Sequence, residues 1–428
     1  MPALIGRALK TFPAGISNGE FGLPSDQLVV IEKGEGCRLW DSDGREFIDF
    51  SMGWGSCLVG HARPEVVEAV REQAPLGSNF AYVNPNAIRV AEEIARLSPT
   101  SELVRFCASG TEATMYCMRL ARAATGRRKI LKFEGAYHGA NMAGVTSLFP
   151  HQLKAFPEPE LTSAGTPEAR DDLLVAPFND LATTCAIVAE YAGQLAGVIV
   201  EPLQRCTPPR EGFLAGLRDL CTGHEIPLIF DEVVTGFRLA YGGAQEYYGV
   251  HPDLVAYGKA LGGGYPIGAF AGRAELMEQV NEARIGQDDY VWMASSLGGN
   301  PVSMAAANAA LGVFRGPGVY EHLHALGNYF RSAIERVIAA YDFPGQVIGD
   351  GPLAQIIFSN EPVRDYRSTF HSDKQLARKL MLDLFKRGVF LNPMGTKLYV
   401  SLAHDEAVCD VFCERLDQAM AEVGVSVT

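Results

Sequence analysis

Two strand-like segments, each ending in a charged residue, constrain this chain more than any other feature. The first is Leu228-Ile229-Phe230, entered after Pro227 and closed by Asp231. The second, Asp253-Leu254-Val255-Ala256-Tyr257, runs into Gly258-Lys259 and then Gly262-Gly263-Gly264. Short apolar runs of this kind read as strands buried on both faces of a mainly parallel sheet. Ligands of open α/β sheets collect at the carboxyl ends of strands, where Asp231 and Lys259 both stand. Their separation of 28 positions (259 − 231) holds one crossover, so both can line one crevice. Taken singly, a lysine among glycines is most often solvated, and an aspartate at a strand end is often a helix N-cap. As a pair, an amine and a carboxylate in one crevice suit a pyridoxal cofactor. The lysine amine condenses with the aldehyde, and the aspartate holds the proton on the ring nitrogen so that the ring can accept electrons.

Further stretches carry a resemblance. LWDSDGREFIDF (39–50), GHARPEVVEAV (60–70), SGTEATMYCMRLARAATGRRKILKFEGAYHG (109–139), VIVEP (198–202), IFDEVVTGFR (229–238), GKALGGGYPIGAFAGR (258–273) and GGNPVSMAA (298–306) follow one another in family order. Together they resemble the fold-type I, class III pyridoxal-phosphate aminotransferases, in the branch of glutamate-1-semialdehyde aminomutase and its relatives. The resemblance implies an α/β fold, with a large domain built on a mostly parallel central sheet flanked by helices and a smaller α+β C-terminal domain. It implies an N-terminal segment over 1–55 that feeds the substrate site, a large cofactor-binding domain over 56–310 and a small domain over 311–428. It also implies a homodimer with shared active sites.

Ser109-Gly110-Thr111-Glu112 precedes a helical pattern over Ala113 to Thr125, ended by Gly126. A glycine–hydroxyl turn opening a helix presents free N–H groups and a positive dipole end to a phosphate. Read alone, the same residues are equally a capping box. The resemblance assigns Ser109, Gly110 and Thr111 to the cofactor phosphate. After the strand Lys129 to Phe133, Tyr137 can lie flat on a planar ring, although an aromatic there is more often core. The resemblance gives Tyr137 one ring face and Val233 the other, His138 a supporting hydrogen bond, and Glu201, at the end of the strand Gly197 to Val200, a place beside the cofactor. Catalysis falls to Lys259 and Asp231. Ser296, where relatives usually carry threonine, matches the stretch that crosses to the partner's phosphate.

Elsewhere the chain reads as an ordinary globular protein. It has 428 residues, 47% of them hydrophobic and 20% charged, enough for one large α/β domain with a smaller partner. Its net charge of −13 disfavours nucleic acid and anionic membranes as partners. Nine scattered cysteines without a CxxC pair read as reduced thiols rather than a disulfide frame or a metal site, which with the absence of a signal-like or 18-residue apolar run points to the cytoplasm. Asp43-Gly44 between alternating apolar residues predicts a hairpin, and Pro64 to Gln73 an amphipathic helix. Residues 140 to 175 read as a long loop or lid. Beyond 311, helical patterns at Val319 to Tyr341 and His371 to Arg387 alternate with short strands at Leu353 to Phe358 and Leu398 to Leu402.

The substrate is the open question. Glutamate-1-semialdehyde aminomutases and related β-amino acid enzymes carry an N-terminal arginine that forks the substrate carboxylate. Here the corresponding stretch is Ala14-Gly15-Ile16-Ser17-Asn18-Gly19-Glu20-Phe21, with a glutamate and no arginine. A carboxylate repels another and welcomes an ammonium. Glu20 therefore predicts a cationic amino-sugar acceptor of the aminoglycoside 6′-oxo kind, aminated from an amino acid such as glutamate, and Trp54, in the same N-terminal part, is a further candidate substrate contact. The alternatives are an intramolecular reaction, glutamate-1-semialdehyde 2,1-aminomutation or an epimerisation, on the same Lys, Asp and Tyr. A non-enzymatic relative is disfavoured by the intact Lys259 and Asp231.

Overall fold

A computed structural model describes residues 2–19, 22–167, 169–341, 343–392 and 397–425. The chain divides into two compact units, residues 1–64 with 321–362 and 368–428, and residues 65–320 with the short return 363–367. These divisions fall about ten residues beyond the expected boundaries at 55 and 310.

The larger unit is built on seven strands: β1 (Leu103–Cys107), β2 (Lys129–Phe133), β3 (Leu173–Ala176), β4 (Leu195–Val200), β5 (Leu228–Asp231), β6 (Leu254–Tyr257) and β7 (Gly268–Gly272). Their order is β1-β7-β6-β5-β4-β2-β3. Only β7 runs against its neighbours, so the other six strands end on one edge of the sheet. Every residue of β3 to β7 is buried, as the unbroken apolar runs require of strands covered on both faces. The 140–175 stretch is not loop throughout: it holds the short helices Met142–Val145 and Ala169–Asp172 and then enters the edge strand β3.

The helix Gly110–Thr125 lies on this sheet. Its buried positions Ala113, Cys117, Leu120 and Ala121 recur at helical spacing and meet Ile199, Ile229, Leu254, Ala256 and Phe270 of four strands. Helix and sheet approach so closely that a Cβ on Gly197 would stand 3.2 Å from Ala121 Cβ. The helix begins three residues before its apolar periodicity because Ser109 caps it, and Gly126, at φ 64°, ends it in the left-handed conformation glycine adopts without strain. Just past β5, Glu232 is fully buried. Its carboxylate accepts from the N–H groups of Ala244 and Gln245, the Gln245 amide and Thr235 Oγ1.

The smaller unit carries two sheets. The antiparallel strands Ile31–Glu35, Arg38–Asp41 and Glu46–Asp49 are joined by Val389–Phe390 in parallel. The predicted hairpin turn is present, with Gly44 at φ 80° and Asp41 Oδ1 accepting from the Asp43 and Arg45 N–H groups. The second sheet orders Gln346–Ile348, Leu353–Ile357 and Lys397–Tyr399. Phe50 stacks on Phe330 at 4.8 Å and meets Phe412 edge-on at 4.9 Å. No helix among the described residues is long and apolar enough to cross a membrane.

Candidate active site

The loops at the six parallel strand ends bring most of the sequence-predicted residues together. Between β1 and its helix, Ser109 Oγ accepts from the Glu112 N–H at 3.3 Å, and Glu112 Oε2 accepts from the Ala108 N–H at 2.5 Å. The capping reading of this stretch therefore holds. It does not compete with an anion, because the N–H groups of Gly110 and Thr111 still lack an intrahelical acceptor at the positive end of a 16-residue helix.

This turn is pressed against its neighbours. A Cβ on Gly110 would lie 2.6 Å from Val233 Cγ1, one on Gly268 would lie 2.2 Å from the Ser109 carbonyl oxygen, and one on Gly139, at φ 88°, would lie 2.6 Å from Thr111 Cα. The Ala140 N–H donates to Thr111 Oγ1 at 3.3 Å. Three glycines thus define a cradle with no room for side chains.

Asp231, the last residue of β5, is 6% exposed. Its Oδ1 accepts from the Val233 N–H at 3.1 Å, and its Oδ2 accepts from His138 Nδ1 at 2.8 Å. His138 is buried, its carbonyl accepts from Thr114 Oγ1 at 2.7 Å, and its Nε2 has no hydrogen-bond partner among the described residues. A carboxylate offers about four lone-pair sites, so Asp231 retains capacity for a further proton donor. The neighbouring Tyr137 donates its N–H to Glu201 Oε1 at 2.8 Å. Lys259, two residues past β6, is partly buried at φ 40°. A non-glycine residue held at positive φ is costly, and such strain gathers at sites where a side chain must be aimed.

The other predicted residues are Ser296, Trp54 and Glu20. Ser296 is exposed, its carbonyl accepting from the Asn79 amide at 2.9 Å, whereas its neighbour Ser295 donates to Glu112 Oε2 at 3.4 Å. Trp54, at φ 58°, belongs to the smaller unit. Glu20 lies outside the described residues.

Two supports were not expected. Lys132, fully buried in β2, donates to the carbonyls of Ala136, Ala143, Gly144 and Thr146 at 2.5–3.2 Å and so ties down the loop bearing Tyr137 and His138. Burial pushes its pKa down to about 7, against the opposing pull of Glu201 and Asp231. Arg367 forks Glu134 at 2.7 and 3.1 Å and lies over the Phe156 ring at 3.6 Å. Burial raises the Glu134 pKa and the guanidinium lowers it. A lysine inside the apolar run KILKF was the one available signal for Lys132. Nothing local announced a partner for Glu134 that lies 233 residues away.

Known proteins resemble this chain over nearly its whole length. The description "Aminotransferase class-III" matches residues 23–420. A glutamate-1-semialdehyde 2,1-aminomutase of Thermomicrobium roseum is 39% identical over 97% of this chain and 96% of its own. Among solved structures, an ω-transaminase from Sphaerobacter thermophilus superposes with a TM-score of 0.90 at 32% identity, covering 98% of this chain and 96% of the other. A transaminase solved with pyridoxal phosphate bound superposes at 0.88 and 30% identity, covering 98% and 97%.

Proposed function

The chain belongs to the class-III aminotransferases, enzymes that work with pyridoxal phosphate, and from that premise we propose that it moves an amino group between two carbons of a short carboxylated amino aldehyde, with glutamate 1-semialdehyde as the leading substrate. The observation that carries the reading is the buried Asp231–His138 pair at 2.8 Å, on the same sheet edge as Lys259. The substrate follows the aminomutase relative that matches nearly end to end.

When bound, the cofactor supplies an electron-accepting ring that makes negative charge at the neighbouring substrate carbon tolerable. The residues fit such a group. The Gly110 and Thr111 N–H groups and the Ser109 and Thr111 hydroxyls would receive its phosphate in the glycine cradle. Asp231 would hold the proton on the ring nitrogen, and His138 Nδ1 fixes the carboxylate in the orientation this needs. Val233 and Tyr137 would flank the ring, while Glu201 holds the Tyr137 loop. The Lys259 amine would hold the cofactor and, once released from it, would serve as the general acid and base that moves the proton at the substrate carbon.

A second reading, transfer between two separate molecules, is favoured by the likeness to the ω-transaminase. The two are separated by giving the pyridoxamine-loaded protein glutamate 1-semialdehyde alone. Formation of 5-aminolevulinate without any other carbonyl supports internal transfer. Dependence on a separate amino donor, with stoichiometric keto acid released, selects the second reading. The amino-sugar acceptor rests on Glu20 alone and is an added arm of the same assay.

The apolar residues Leu76, Tyr82, Val83, Trp292 and Leu297 of the larger unit are exposed in the single chain, which supports a homodimer in which Ser296 reaches the partner's phosphate. Light scattering at twice the chain mass is the expected result, and a monomer counts against it. Nine free thiols are compatible with a reducing, cytoplasmic setting.

A further inference from the structure

Past the end of β4 the chain makes a tight turn. The Gln204 and Thr207 backbones exchange two hydrogen bonds at 2.8 and 3.1 Å, leaving Arg205 and Cys206 at the tip. Arg205 has φ 59°, and Cys206 is not among the positive-φ residues. A two-residue turn with positive φ only at its first central position ordinarily places glycine there. Here an arginine takes that strained place, on the ligand-binding edge of the sheet, and its strain invites a functional reason.

Its surroundings indicate one. The Arg205 N–H donates to Glu201 Oε2 at 3.1 Å, and the other oxygen of that carboxylate holds the Tyr137 N–H. The turn is therefore tied to the loop that bears the ring-facing tyrosine. Gln204 ties it again, its Nε2 donating to the Glu134 carbonyl at 2.7 Å. The Arg205 guanidinium, half-buried, lies 5.1 Å from the centre of the Phe149 ring. Among the described residues it has no hydrogen-bond acceptor and no carboxylate partner, although the chain holds 50 acidic residues. At the same turn, Gln204 is 3% exposed and its Oε1 has no hydrogen-bond partner among the described residues. A cation and an acceptor, both unpartnered and held by one turn, match the two charged ends of an amino acid.

We propose that the 204–207 turn is a substrate-recognition element in which Arg205 receives the substrate carboxylate as a two-pronged fork, oriented by the Phe149 ring. A guanidinium matches a carboxylate with two parallel N–H donors, and stacking on an aromatic face fixes the plane of the fork. The proposal rests on the reading of the substrate as a carboxylated amino compound.

The test is titration calorimetry of the pyridoxal-phosphate-loaded protein with glutarate and with its neutral analogue glutaramide. Wild type is expected to prefer glutarate by at least about tenfold, the worth of a charge-assisted hydrogen bond. Arg205→Gln abolishes that preference, and Arg205→Lys, which keeps the charge but loses the fork, retains part of it. In the half-reaction, Arg205→Gln raises KM for 5-aminolevulinate by a similar factor, leaves kcat within about twofold and leaves the methyl ester unaffected. Retention of the glutarate preference in Arg205→Gln overturns the proposal, including where the melting temperature falls because the contact with Phe149 is only structural. Because the titration needs no turnover, failure to form 5-aminolevulinate sinks the proposed reaction without touching this result.

Discussion

The contact between Gly110 and Val233 joins the phosphate turn to the residue assigned to one ring face, and it can be tested by adding one methyl group. A Cβ at position 110 would stand 2.6 Å from Val233 Cγ1 and 2.9 Å from Cγ2. Non-bonded carbons settle at about 3.5–4.0 Å, so the overlap is roughly 1 Å and Val233 or the helix start must move. Overpacking of this kind costs about 1–3 kcal/mol, offset by less than about 1 kcal/mol of helix propensity that alanine gains over glycine. Val233→Ala removes two carbons from a partly buried side chain, a loss of at most about 1.6 kcal/mol of burial. It also removes both clashing methyls. Gly110→Ala in the Val233→Ala background should then cost little, giving a coupling of about 1–2 kcal/mol in the favourable direction. Urea unfolding of the four proteins, followed by circular dichroism at constant m-value, measures it. Gly110→Ala alone should also weaken pyridoxal phosphate binding, read by the cofactor's absorbance, because the displaced valine moves against the ring. Single effects that add to within about 0.5 kcal/mol would refute the contact.

Asp231→Asn leaves His138 without a carboxylate and the ring nitrogen without its counter-charge, so kcat should fall by about 10²–10³ while bound cofactor remains visible; a loss under tenfold argues against the assignment. Lys132→Met strips a donor from four buried carbonyls and should lower stability by roughly 3 kcal/mol or more, with cofactor binding lost before global unfolding in urea; an unchanged midpoint contradicts the role of Lys132 in holding that loop. In the smaller unit, hydrogen bonds with Asp49 and Cys57 outweigh burial and lift the His61 pKa to about 10. The raised pKa means that its stabilisation is complete below an ordinary histidine pKa of about 6.5 and is lost as pH climbs through about 10. Thermal melts of Asp49→Asn should lose that alkaline decline, and a wild-type slope in the variant would exclude the His61–Asp49 pair as its source.

What could be read along the chain is what short-range physics dictates. Unbroken apolar runs must lie in a sheet covered on both faces, so β4, β5 and β6 were legible, as were the charged residues at their ends. The Gly110–Thr125 helix declared itself by its periodicity, its serine cap and its terminal glycine. Tertiary structure alone decided which groups close onto one another. Lys132 sits in a strand whose pattern says nothing of the four carbonyls that surround it, because those come from a loop that returns upon it. Gly268 shows no positive φ, and its need to be glycine appears only when the Ser109 carbonyl arrives 2.2 Å from where a Cβ would stand. Arg367 and Glu134, and Arg205 with its stacked ring, find their places by chain closure over long separations. Backbone preference and amphipathic spacing act within a few residues and are written locally, whereas the partners of buried charges depend on where distant segments meet.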